Sequence, residues 1–409
     1  MRVLLAAVGT RGDVQPALAL ALALRRRGHT VRLCLSPSFV GWAERLGFEA
    51  RPMGVEMRAP TSRSGAAPTL NPEQLRRLRA SMPDLVTDQF DTLGPAAEGC
   101  DVIVGANAHQ YAAPSIAEHL GIGCVTAVYA PVAIPSRTLA PPPAPGQTLA
   151  EADEARIPEL WRLTAETWNE RALDRINQNR ARLGLDPIDD VLSYVLTERP
   201  WLAADAALAP APAPVQGKVF QTGTWVFEDR TALPEDVEAF LDAGEPPVYV
   251  GFGSMPAASD TSRALIGAVR ALGRRVILSK GWANLEVIDP SPDVLAVGDV
   301  NHHRLFPRVE AVIHHGGAGT TATAARAGVS QVITPMFSDQ FYWGRRVDEL
   351  GLGSTTPHAT LTEESLALAL RQALEPGVAD RARLLAGEMR ADGAEIAARQ
   401  LEVEFAPGA

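Results

Sequence analysis

The sequence predicts an α/β protein built from two doubly wound, Rossmann-like domains that face a deep cleft. Three observations predict it. Short apolar runs alternate with helical stretches in both halves of the chain, which is the pattern of parallel βαβ units. A Pro-rich spacer separates the halves. The 409 residues, 46% of them hydrophobic, suffice for two cores.

The elements follow in order. Val3–Val8 is wholly apolar and short, hence a strand; Gly9–Asp13 reads as a turn and Val14–Arg27 as a helix closed by Gly28. Thr30–Ser36, Val102–Val104 and Cys124–Tyr129 read as further strands. Six prolines mark Ala130–Gly146 as a loop, Glu151–Leu183 reads as a charged helix, and Leu208–Val215 (LAPAPAPV) as a semi-rigid spacer. Alternation then resumes. Val248–Phe252, Val276–Leu278, Val294–Val297, Ala311–Ile313 and Val332–Thr334 read as strands; Thr261–Leu272, Thr320–Ala327 and Gln340–Leu350 read as helices. The expected division is an N-terminal domain over 1–207, a linker over 208–217 and a second domain over 218–385. A terminal helix in 386–409 is expected to return toward the first domain. Ligands of open α/β sheets bind at the carboxyl ends of the strands, so the cleft is the expected site.

Composition narrows the partners. A net charge of −10 argues against nucleic acid and against an anionic membrane surface. Three cysteines, Cys34, Cys100 and Cys124, lack CxxC spacing, which predicts neither a zinc site nor a disulfide framework and fits a reducing cytoplasm. MRVLLAAVGTRGD has too short an apolar run for a signal peptide, and no run of about 18 apolar residues predicts stable membrane insertion.

The most informative stretch is His314–Gly328, HHGGAGTTATAARAG. A strand ends at Ile313, a helix follows, and Gly316, Gly317 and Gly319 occupy the junction. Glycines let a ligand approach the backbone, and the first amides of a helix sit unpaired at the positive end of its dipole. A phosphate or diphosphate satisfies both; His315 and Thr320 can add donors. Neither the Walker pattern nor Gly-x-Gly-x-x-Gly is present, so a P-loop NTPase and an NAD enzyme are disfavoured. Asp339 and Gln340 follow the next strand and can bind vicinal sugar hydroxyls. Gly253-Ser254 and Gly298–His302 form two more strand-end loops. The alternative is a tight strand–helix turn capped by Thr320 or Thr321.

With Gly9-Thr10-Arg11-Gly12-Asp13-Val14-Gln15-Pro16 near the start, Gly251–Ser254 and the His314–Gln340 block, the chain resembles the family-one glycosyltransferases of the GT-B fold. Within that family it is most similar to bacterial enzymes that decorate antibiotics and other natural products. The resemblance covers nearly the whole chain. It implies that His315 and the backbone of Gly316, Gly317, Ala318, Gly319 and Thr320 grip the donor diphosphate, with Ser254 assisting. It implies that Val300 contacts the nucleobase, Trp282 lines the nucleotide pocket, and Asp339 and Gln340 clamp the sugar. No Asp-x-Asp occurs, so metal-assisted binding is not expected; no metal or cofactor is, the nucleotide sugar being a substrate.

Inverting transfer requires a base for the acceptor hydroxyl and stabilisation of the leaving diphosphate. Asp13, at the end of the first strand–helix turn, is the candidate base; an aspartate there also suits a helix cap, and the two roles are compatible. His109, in the loop after Val102–Val104, is the alternative base or an acceptor contact. Thr10, Arg11 and Gly12 are expected to meet phosphate or acceptor. Loops Met57–Pro72 and Ala130–Gly146, with Trp161 and Trp168, are expected to shape a lipophilic acceptor site. The expected activity is a cytoplasmic, inverting, metal-independent hexosyltransferase. It would use a UDP- or dTDP-sugar and a natural-product hydroxyl, as a monomer or homodimer. Sterol or lipid glucosylation and nucleotide-sugar 2-epimerisation are the alternatives on the same fold.

Overall fold

A computed structural model describes residues 1–56, 84–143, 154–253, 259–281, 285 and 291–406. The expected loop Met57–Pro72, Ser254 and Trp282 lie outside the described residues.

Two parallel sheets organise the chain. The first holds β1 (Arg2–Ala7), β2 (Thr30–Leu35), β3 (Glu49–Pro52), β4 (Val102–Ala106), β5 (Gly123–Val128), β6 (Trp201–Leu202) and β7 (Phe220–Gln221), in the order β3-β2-β1-β4-β5-β6-β7. The second holds β8 (Val248–Gly251), β9 (Val276–Ser279), β10 (Val294–Val297), β11 (Ala311–His314), β12 (Ser330–Ile333) and β13 (Gly353–Thr355), in the order β10-β9-β8-β11-β12-β13. Strands β1, β4, β8 and β11 are buried along almost their whole length, which is why they read as uninterrupted apolar runs.

Each sheet reverses its strand order once, between β1 and β4 in the first and between β8 and β11 in the second. A doubly wound sheet opens a crevice at that point, because the two flanking loops diverge to opposite faces. The loops after β1 and β4, and those after β8 and β11, are therefore the ones the topology offers to ligands.

Helix α1 (Arg11–Arg26) starts three residues before Val14, inside the segment expected as a turn. Thr10 and Asp13 form a reciprocal capping box that supplies the start. The apolar face of α1, including Val14, Leu18, Leu20 and Leu24, is buried against the first sheet. The terminal helix Gly393–Phe405 buries Ala397, Ala398 and Leu401 in that same cluster. Two-pronged contacts of Arg26 with Glu395 and of Arg27 with Glu402 fasten it. So the last helix of the chain packs on the first domain.

Phe220–Gln221, beyond the spacer, still pairs in the first sheet. The spacer itself is held to the loop after β5, with Arg137 N donating to Ala213 O at 3.1 Å and Val215 N to Pro135 O at 2.9 Å. The expected helix over Glu151–Leu183 is a 3-10 turn at Glu154–Arg156 followed by Ile157–Arg182. No described helix is long and apolar enough to cross a membrane.

Candidate functional site

At the second switch point, β11 leads through His315, Gly316 and Gly317 into the helix Ala318–Arg326. Gly316 has φ +90°, and a Cβ there would meet Ile333 Cγ2 at 2.7 Å. A Cβ on Gly317 would stand 2.6 Å from Nε2 of His315. Bare backbone is thus a packing requirement of this turn. No described side chain caps the helix, so its leading amides keep their capacity for a ligand. Gly319 is exposed and Thr320 half-buried at that mouth.

His315 lies between the two loops of the switch point. A Cβ on Gly253, at φ +57°, would be 3.3 Å from its Cε1. Burial pushes the imidazole down to about 4, so it is neutral near pH 7 and offers one N–H. Its Nδ1 is buried with no protein partner among the described residues. A neutral ring with an orphaned nitrogen beside uncapped amides suits an anionic oxygen. His314 has a different fate. Gly316 N donates to its Nδ1 at 3.1 Å, which leaves Nε2 to donate to Gln331 Oε1 at 3.0 Å. It is fully buried and structural.

Asp339 and Gln340 stand after β12, as the sequence places them, but their tasks differ. Trp343 Nε1 donates to Asp339 Oδ2 at 3.0 Å. Burial raises Asp339 to about 6, and the charge of Asp13 adds to the rise. Gln340 turns Oε1 inward, accepting from Met336 N at 2.8 Å and Phe337 N at 3.3 Å. That oxygen ties its own loop. Val300 is half-buried after β10. Beside it, His302 bonds to Tyr249 Oη at 2.8 Å and stacks on Phe306.

At the first switch point, Gly9 has φ +141° and closes against Asp13. Asp13 Oδ2 accepts from Thr10 N at 2.7 Å and Thr10 Oγ1 at 3.2 Å, while Oδ1 accepts from Asn107 Nδ2 at 3.0 Å. Tyr129 Oη donates to the Asp13 carbonyl at 2.9 Å. Burial raises the carboxyl pKa, and the bonds from Thr10 and Asn107 oppose the rise. Thr10 is committed to the cap, where its hydroxyl also accepts from Gly12 N. The ring of His109 stacks on Trp168 at 5.2 Å and 21°.

Asp13 and Asp339 belong to different sheets, yet the charge of Asp13 reaches Asp339, so both loops face one cleft. Arg11 crosses that cleft to Asp299 at 3.1 Å. A cavity of about 540 Å³ opens where the loop after β5 meets the long charged helix, lined by Arg137, Trp161, Leu192 and Val215 among others. Asn107, which bonds the Asp13 carboxylate, is a residue that sequence reading gave no role. Its signal was a polar residue just after β4, of a type that tolerates left-handed backbone.

Two parallel α/β sheets, with an anion-ready turn on one and a carboxylate on the other, define a GT-B glycosyltransferase. The chain belongs to that family. Its residues 3–136 match the glycosyltransferase family 28 N-terminal domain. Residues 263–403 match the erythromycin biosynthesis protein CIII-like C-terminal domain. It is 43% identical to the vancomycin aglycone glucosyltransferase of Amycolatopsis orientalis over 98% of this chain and 97% of that one. It is 39% identical to the dTDP-epi-vancosaminyltransferase of the same organism, over 93% and 92%. Among solved structures, spinosyn forosaminyltransferase SpnP shares the fold at a TM-score of 0.70, 22% identity and full coverage of both chains. Glycosyltransferase VinC in complex with dTDP does so at 0.67 and 22%, over 95% of each.

Proposed function

We propose that the protein transfers a hexose, with inversion and without a metal, from a UDP- or dTDP-sugar to a hydroxyl of a lipophilic natural-product aglycone. Asp13 takes the acceptor proton as the acceptor oxygen bonds to the anomeric carbon. The bond from that carbon to the diphosphate breaks, and the nucleoside diphosphate leaves with the electron pair. The uncapped amides of Ala318–Thr320 and the neutral His315 receive the charge that develops on it. Asp339 accepts from sugar hydroxyls.

The observation that carries this reading is the buried Nδ1 of His315, unpartnered among the described residues, beside a helix start that no described side chain caps. The natural-product acceptor is supported by the relatives' own names, which include a vancomycin aglycone glucosyltransferase. The thymidine donor is supported by the dTDP-epi-vancosaminyltransferase.

A thermal-shift panel of UDP, dTDP and GDP sugars selects the donor, and mass spectrometry with varied aglycones then reads transfer. A mass gain of one hexose on the aglycone supports the proposal. Conversion of the sugar nucleotide to an isomer in the absence of any acceptor would establish epimerisation instead.

A further inference from the structure

Asn107 follows β4 in a conformation that side chains seldom adopt, with φ +78°. It is buried, and its amide is fully engaged. Nδ2 donates to the Val8 carbonyl at 2.8 Å and to Asp13 Oδ1 at 3.0 Å. Oδ1 accepts from the His109 amide at 2.9 Å and from Gln110 Nε2 at 3.4 Å. The His109 amide can only donate, which fixes the orientation of the Asn107 amide and turns its NH₂ toward the carboxylate. Asn107 therefore joins the loops after β1 and β4 across the switch point, with Asp13 at the junction.

The oxygens of Asp13 are used unequally. Oδ2 takes two donors from Thr10; Oδ1 takes Asn107 alone among the described residues. We infer that Asn107 is a positioning residue of the transfer reaction, its Nδ2 fixing Oδ1 of Asp13 so that one lone pair of that oxygen meets the acceptor hydroxyl. The inference rests on the reading of Asp13 as base.

Several groups face Asp13. Thr10 and Asn107 donate to its carboxylate, and His109 lies near enough to favour its charge. Tyr129 binds its carbonyl, and Asp339 faces it with like charge. Burial raises the Asp13 pKa and Asn107 lowers it. Loss of the amide removes a lowering contact, so the carboxyl stays protonated to higher pH. Activity that needs the carboxylate then fails at higher pH on the acidic side.

The test uses two replacements. Asn107→Gly keeps the left-handed backbone without strain and deletes the amide. Asn107→Asp keeps the shape and sets a second carboxylate against the first. Steady-state rates across a pH series are read alongside nucleoside-diphosphate affinity. Asn107→Gly is expected to lower kcat by about tenfold or more with nucleotide affinity unchanged. The acidic limb should move upward in both variants, further in Asn107→Asp. An unmoved limb with wild-type kcat overturns the inference, as does a loss of rate matched by an equal loss of nucleotide binding. If Asn107→Gly does not melt cooperatively, Asn107→Asp decides on the same readout. Asp13→Asn run in parallel separates the two claims. Near-normal turnover there removes the base itself, whereas a dead Asp13→Asn with an unmoved limb in Asn107→Asp removes only the positioning role.

Discussion

A Cβ on Gly9 would stand 2.1 Å from Oδ2 of Asp13, so the turn after β1 closes on the carboxylate with room for no side chain. The turn is itself held from behind. Ser36 Oγ accepts from Gly9 N at 2.8 Å and donates to Gly9 O at 2.9 Å. Gly9→Ala therefore meets both a conformation that disfavours it and a direct overlap. It is predicted to cost about 1–3 kcal/mol of stability, read as a lower melting temperature. Because the overlap falls on Asp13, kcat should drop by about tenfold or more, more than the stability loss alone explains.

His315→Ala deletes the ring that meets the diphosphate in the proposed reaction. A hydrogen bond to a charged group contributes about 1.5–3 kcal/mol, so calorimetric titration should show nucleoside-diphosphate binding weakened by about tenfold to a hundredfold. Gly317→Ala, whose Cβ would press on Nε2 of that ring, should move in the same direction. Unchanged affinity in both variants would remove the diphosphate role.

In the proposed reaction Asp339 ties donor binding to pH. Burial lifts its pKa to about 6, so near that pH the free protein holds a partly protonated carboxyl. A carboxylate that accepts from sugar hydroxyls must be ionised. Donor binding near pH 6 should accordingly release protons, visible as a heat that varies with the ionisation enthalpy of the buffer. Asp339→Asn should abolish that dependence. The sign for stability is the reverse of the usual carboxylate. The native state binds the proton more tightly than the unfolded chain, so the contribution of this group falls as pH rises from its ordinary 3.8 toward 6.

Glu402 ties the terminal helix to α1 through Arg27 and through His29, at 2.8 Å. The bonds from Arg27 hold its carboxyl down to about 2. The stability it contributes is present above its ordinary 4.5 and is lost as pH falls toward 2. Glu402→Gln is predicted to cost about 1 kcal/mol at neutral pH and much less in acid, measured by denaturant midpoints at two pH values.

The doubly wound architecture was legible because strands buried on both faces carry no polar interruption, as in Val3–Ala7 and Val102–Ala106. The strand–helix turn after His314 was legible because Gly316 and Gly317 answer a packing demand. The start of α1 was misplaced by three residues, although Thr10 and Asp13 show the spacing of a capping box. Short strands such as Gly353–Thr355 and the two-residue β6 and β7 are too short for periodicity to register. That Gln340 turns its oxygen to Met336 and Phe337 is visible only in the fold. Asn107 escaped notice because it lies 94 residues from Asp13, and only the adjacency of β1 and β4 brings them together.

The most direct test of the account is a crystal structure of the protein with a bound dTDP- or UDP-sugar. The account predicts diphosphate oxygens within about 3 Å of the amides of Ala318–Thr320 and of a His315 ring nitrogen, with the sugar facing Asp339 and its anomeric carbon open to Asp13. A diphosphate bound away from that turn, with the helix start left to solvent, would contradict it.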